Sequence, residues 1–140
     1  IRRWVTTMGA KVNWSVSVKV TGGPTIGAAA TLDVEAYDPI EVTIPAGADG
    51  VEVDVQPSDA DQVQLLLIRA SPGPGEGEEL TYSVDGGAAD IALDAPQLLV
   101  GQRLVNLLGA APRKLAFTST MAADTDVSIF VARSATAPNP

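Results

Sequence analysis

The chain has 140 residues, 46% of them hydrophobic and 19% charged, with a formal net charge of −8. That length suits one domain and that composition a packed core, whereas a disordered chain would be poorer in aliphatic residues. With no cysteine and no histidine, disulfides, thiolate nucleophiles, zinc-finger spacings and imidazole general bases are excluded.

Residues 1–11 read as a basic N-terminal arm. Arg2, Arg3 and Lys11 lie there with no acidic residue, and Trp4 beside the arginines is a large flat side chain with no obvious core partner. A basic arm next to an acidic body suits contacts between subunits, because opposite potentials steer association and fix orientation. Arg2, Arg3, Trp4 and Lys11 are therefore the candidate interface residues. The competing readings are a solvated terminus and, for Trp4, packing on its own sheet edge.

Val12, Trp14, Val16, Val18 and Val20 alternate with Asn13, Ser15, Ser17 and Lys19. This period of two predicts a half-buried strand with Trp14 turned into the core, ended by Gly22-Gly23-Pro24. Leu32, Val34 and Ala36, then Ile40, Val42 and Ile44, predict two more strands with Asp38-Pro39 as the turn between them. After the turn cluster at 45–50, Val51, Val53 and Val55 face opposite to Glu52 and Asp54.

Leu65-Leu66-Leu67-Ile68 is apolar on both faces and predicts a central strand covered on each side. The Gly-, Pro- and Glu-rich stretch 71–79 predicts an exposed loop. Leu80, Tyr82 and Val84, with Ile91 and Leu93 beyond Asp85-Gly86-Gly87, predict a hairpin. Residues 94–109 admit either a helix or a short strand at 97–100 turning at Gly101, and extended structure is favoured. Leu115 and Phe117, then Val127, Ile129 and Val131, predict the last strands before a fraying tail at 134–140. Eight to ten short strands punctuated by Gly, Pro and Asp, with at most one short helix, predict an all-β antiparallel sandwich of jelly-roll type over 12–133.

Residues 20–68 hold nine acidic residues and no basic one. Most acids fall on the polar phase of predicted strands, where water keeps both members of any pair ionised, so the two-carboxylate chemistry of a glycosidase is not expected. Asp59-Ala60-Asp61 and Asp124-Thr125-Asp126 resemble fragments of a calcium loop but lack further ligands, and turn chemistry explains them better. No catalytic, cofactor or metal site is expected. The acidic balance argues against a nucleic-acid partner, and no apolar run is long enough to span a membrane, so a soluble protein is expected.

The strings Leu80-Thr81-Tyr82-Ser83-Val84-Asp85-Gly86-Gly87 and Val127-Ser128-Ile129-Phe130-Val131-Ala132-Arg133, with the Val-rich opening strand, resemble small phage head-decoration (cement) proteins of β-sandwich fold. The resemblance runs over about residues 12–133. It implies a non-enzymatic virion part on the capsid surface, a homo-oligomer, trimeric about a local symmetry axis, whose partner is a major capsid protein. A carbohydrate- or cell-surface-binding β-sandwich module is the alternative.

Overall fold

The computed structural model describes residues 10–55, 62–85, 91–105, 107 and 114–134. Ten strands occur in it, β1 (Ala10–Lys19), β2 (Thr25–Val34), β3 (Ala36–Ile44), β4 (Val51–Asp54), β5 (Gln62–Ser71), β6 (Leu80–Val84), β7 (Ile91–Ala92), β8 (Gln97–Val100), β9 (Lys114–Ser119) and β10 (Thr125–Ser134). One helical turn, α1 (Gln102–Val105), follows β8. Among the described residues no helix is long and apolar enough to cross a membrane.

Strands β3 to β10 form the expected sandwich, and their pairing is nested. β3 pairs with β10, β4 with β9, β5 with β8 and β6 with β7, all antiparallel. Rolling such a doubled ribbon brings β10 beside β5 and β9 beside β6. The result is two four-stranded sheets, β3-β10-β5-β8 and β4-β9-β6-β7, which is jelly-roll wiring.

Inward rows follow from the two-residue period. Ile40, Ile129, Ile68 and Gln97 stand in register across the first sheet. Val51, Phe117, Tyr82 and Ile91 do so across the second. Tyr82 and Phe117 are fully buried with ring centroids 5.6 Å apart. The Tyr82 hydroxyl, directed from one sheet towards the other, donates to Gln97 Oε1 at 2.6 Å, and Gln97 Nε2 donates to the Ala92 carbonyl at 2.7 Å. Burial pushes the Tyr82 phenol up to about 12. Below the core, Gly101 takes φ 99, which glycine tolerates, and turns the chain into α1, whose Val105 is fully buried.

Three expectations need correction. Asp38-Pro39 does not turn the chain: β3 runs through it from Ala36 to Ile44, and the break falls at Glu35. β3 is an edge strand, where a missing N–H need cost no ladder bond and blunts further pairing. Secondly, the strand expected around Leu32 and Val34 begins earlier, at Thr25, as β2. Thirdly, β1 does not enter the sandwich. It pairs with β2 along its whole length, from Ala10↔Val34 to Lys19↔Thr25, as a separate two-stranded sheet.

Leu65 to Ile68 is covered on both faces, as expected, but by two different partners. A β-bulge opposite Ala132 and Arg133 shifts the phase of β5, so Val63, Leu66 and Ile68 face the sandwich core. Leu65 and Leu67 face out, into a second cluster beneath the β1–β2 hairpin.

Candidate interaction surface

The β1–β2 hairpin is two-faced along all ten residue pairs. On one face the register aligns Ala10 with Val34, Val12 with Leu32, Trp14 with Ala30, Val16 with Ala28 and Val18 with Ile26. On the other it aligns Lys11 with Asp33, Asn13 with Thr31, Ser15 with Ala29, Ser17 with Gly27 and Lys19 with Thr25. Ten residues at about 3.4 Å each make a ribbon roughly 30 Å long. At its end Gly23 N–H donates to the Val20 carbonyl at 2.8 Å, and Gly22 takes φ 73, the turn position that favours glycine.

The lower half of the apolar face has a seat. The outer surface of the first sheet carries two cross-strand rows, Tyr37–Ala132–Leu65–Val100 and Pro39–Phe130–Leu67–Leu98. Tyr37 stacks on Phe130 with centroids 5.8 Å apart. Val12, Trp14, Leu32 and Val34 pack against this patch, and Val34 is buried to 2% exposure. Burying such side chains contributes roughly 1.5–3 kcal/mol each when complete, which anchors the hairpin to the sandwich.

Among the described residues the upper half has none. Val16 is 41% exposed, Val18 58%, Val20 55% and Ile26 72%. Single exposed aliphatics are ordinary, but here four adjoin on one face of one ribbon, and such grouping marks contact surfaces. The ribbon is thus an arm, seated at its base and bare at its tip.

Beside the seat the same sheet surface opens into a shallow groove of about 300 Å³. Its floor includes Pro39, Leu67 and Phe130, and its rim includes Glu41, Ser128 and Arg69. Leu67 and Phe130 belong to both the seat and the groove.

Of the candidate interface residues, Arg2, Arg3 and Trp4 lie outside the described residues. Lys11 stands on the polar face of the arm near its base and donates to Asp33 Oδ1 at 2.8 Å. That hydrogen bond and the Asp33 charge raise its pKa. The pair is solvent-exposed and contributes little to stability. Trp14, expected in the sandwich core, sits half-buried on the arm, and its indole N–H finds no acceptor among the described residues.

Asp124 and Asp126 make long-range hydrogen bonds rather than the local turn bonds expected of them. Asp124 Oδ1 accepts from the Ala46 N–H at 2.9 Å, and Asp126 Oδ1 accepts from the Thr43 hydroxyl at 2.8 Å. Asp59-Ala60-Asp61 lies outside the described residues. Glu78 holds its loop to the sandwich, accepting from Ala122 N–H at 2.9 Å and Gly75 N–H at 2.8 Å, and these bonds lower its pKa. Glu52 and Asp54 face outward near Lys114 at 3.7 and 4.0 Å. At one end of the core, buried Arg133 donates to Asp38 Oδ2 at 2.5 Å. Among the described residues no group of three or more acidic, histidine or cysteine side chains could hold a metal ion.

Val16, Val18, Val20 and Ile26 were not legible as a surface from alternation, which marks one apolar face without saying what covers it. A usable signal lay opposite, in Gly27-Ala28-Ala29-Ala30, a partner strand too small to fill a sandwich core. No protein-family model matches the chain, and no curated protein matches it.

Proposed function

We propose that this chain is a non-enzymatic structural part of a virion, a capsid-decoration protein that acts through contacts with other proteins on the capsid surface. The observation that carries the proposal is the arm, a continuous apolar face half seated on its own sandwich and half exposed. An exposed apolar tip is costly to keep in water, and occupation by another protein removes that cost. Jelly rolls are recurrent in viral capsid domains, which supports the proposal by fold-level analogy alone, since lectin domains use them too. The tip carries Lys19 and no acid, so it approaches an acidic protein surface without repulsion.

The test is co-sedimentation with purified tailed-phage heads stripped of their own decoration proteins. Saturable binding is expected, reduced at least tenfold by the double substitution Val18→Asp and Ile26→Asp. Absence of binding to heads, with specific glycan-array signal in calcium, would overturn this function in favour of a carbohydrate-binding module.

A further inference from the structure

We infer that the bare tip of the arm docks onto a second copy of this chain, in the groove between Pro39, Leu67 and Phe130 on the outer face of its β3-β10-β5-β8 sheet. This deepens the structural role proposed above and rests on it, by naming the first partner of the arm.

Three observations converge on that occupant. The first is continuity of surface. The seat that already holds Val12, Trp14, Leu32 and Val34 shares Leu67 and Phe130 with the open groove. A surface that accepts the lower half of an apolar valine-rich ribbon therefore continues, uncovered, beside it. The upper half, Val16, Val18 and Ile26, continues the same apolar face of the ribbon with smaller, branched side chains. Among the described residues, every copy thus carries both an open apolar groove and an exposed apolar ribbon end.

The second is size. A groove of about 300 Å³ holds roughly ten water molecules. Its floor of proline, leucine and phenylalanine gives those waters few hydrogen-bond partners, so aliphatic side chains displace them favourably.

The third is charge. Residues 10–34 hold Lys11 and Lys19 against Asp33, a net +1, whereas residues 35–134 hold 16 acidic residues against five basic ones, a net −11. Two bodies repel one another, while an arm and a body do not. Lys19 is the one charged residue between Lys11 and Asp33, so the docking half of the ribbon brings no acid to the acidic body. Electrostatics of this kind selects arm-to-body docking over body-to-body contact. Arm and groove are different patches, so docking is either reciprocal between two copies about a two-fold axis or head-to-tail, in a ring or an open filament.

The chain has no cysteine, so engineered thiols report only the pair introduced. Val18→Cys in one sample and Ser128→Cys in another are mild, surface-tolerant changes, and the two are mixed in equal amounts and oxidised. The expected result is a disulfide between Val18→Cys and Ser128→Cys chains forming at least tenfold faster than either symmetric bond. Sedimentation velocity of the unaltered chain is expected to show concentration-dependent association, weakened at least tenfold by Val18→Asp with Ile26→Asp. A strictly monomeric chain at all concentrations would overturn the inference, as would a dominant symmetric bond between two Val18→Cys chains, which means arms stacked on arms. The two proposals separate cleanly. A monomer that still binds phage heads defeats second-copy docking and leaves the virion role standing; a chain that forms the mixed bond but ignores heads supports the docking and defeats the virion role.

Discussion

Tyr82 ties the two sheets together through one hydroxyl, and its removal should separate ring packing from hydrogen bonding. In Tyr82→Phe the ring keeps its place against Phe117, while Gln97 Oε1 loses a donor at 2.6 Å. Gln97 lies on an edge strand and is half-buried, so its freed oxygen turns to water rather than staying unsatisfied. The loss is then that of one ordinary hydrogen bond, about 1 kcal/mol, or about 3–5 °C in Tm for a domain of this size. Tyr82→Ala also removes the ring from a fully buried site and should cost about 3–5 kcal/mol.

A pH signature accompanies the same group. The folded phenol is raised to about 12 from an ordinary value of 10.0, so the folded state holds its proton where the unfolded chain releases it. The stabilisation is complete below pH 10 and is lost as pH rises through the folded value. Urea unfolding from pH 8 to 12 in a Tyr37→Phe background, where Tyr82 is the remaining tyrosine of two, checks this, with phenolate absorbance read in parallel. If Tyr82→Phe proved as damaging as Tyr82→Ala, or kept the alkaline loss attributed to Tyr82, the cross-sheet reasoning would be refuted.

Three further outcomes are expected. Glu78→Gln should loosen the 71–79 loop. Because the bonds from Ala122 and Gly75 lower the folded carboxyl pKa, their contribution is present above the ordinary carboxyl range and fades as pH falls through the folded value, so loop amide shifts followed by NMR down to pH 2 should show a transition that the variant lacks. Asp38→Ala removes one partner of buried Arg133, and since Asp38 remains partly open to water the cost should be about 1–3 kcal/mol by urea unfolding. Val18→Asp should leave monomer stability within about 0.5 kcal/mol, whereas Val34→Asp, at the buried seat, should cost more than about 3 kcal/mol or detach the arm, as read by thermal melts.

The sandwich was largely legible because its strands alternate against a core that only one phase can enter. Val51 to Val55, Leu80 to Val84 and the phase of Val127, Ile129 and Val131 fall on the inner face as their spacing requires. Leu65 to Ile68 was legible as a doubly covered strand, though only the fold reveals that the outer cover is the arm base. Pro39 misled because its effect depends on whether the strand is central or at an edge, which is a tertiary property. The arm misled for a related reason. Val12 to Val20 has one perfect alternation, yet Val12 is seated and Val18 is bare, and periodicity carries no measure of distance from the core. The small residues from Gly27 to Ala30 carry weak strand propensity, so alternation showed nothing there, and pairing with β1 extends the strand through them.

The most direct test of the arm as the contact surface is amide hydrogen exchange over residues 16–28, compared between dilute chain, concentrated chain and chain bound to phage heads. Exchange at those amides should slow at least tenfold in an assembled state, while β6 and β9 inside the sandwich stay unchanged. Equal rates at the tip in every state, with protection appearing elsewhere or nowhere, would contradict the arm's role.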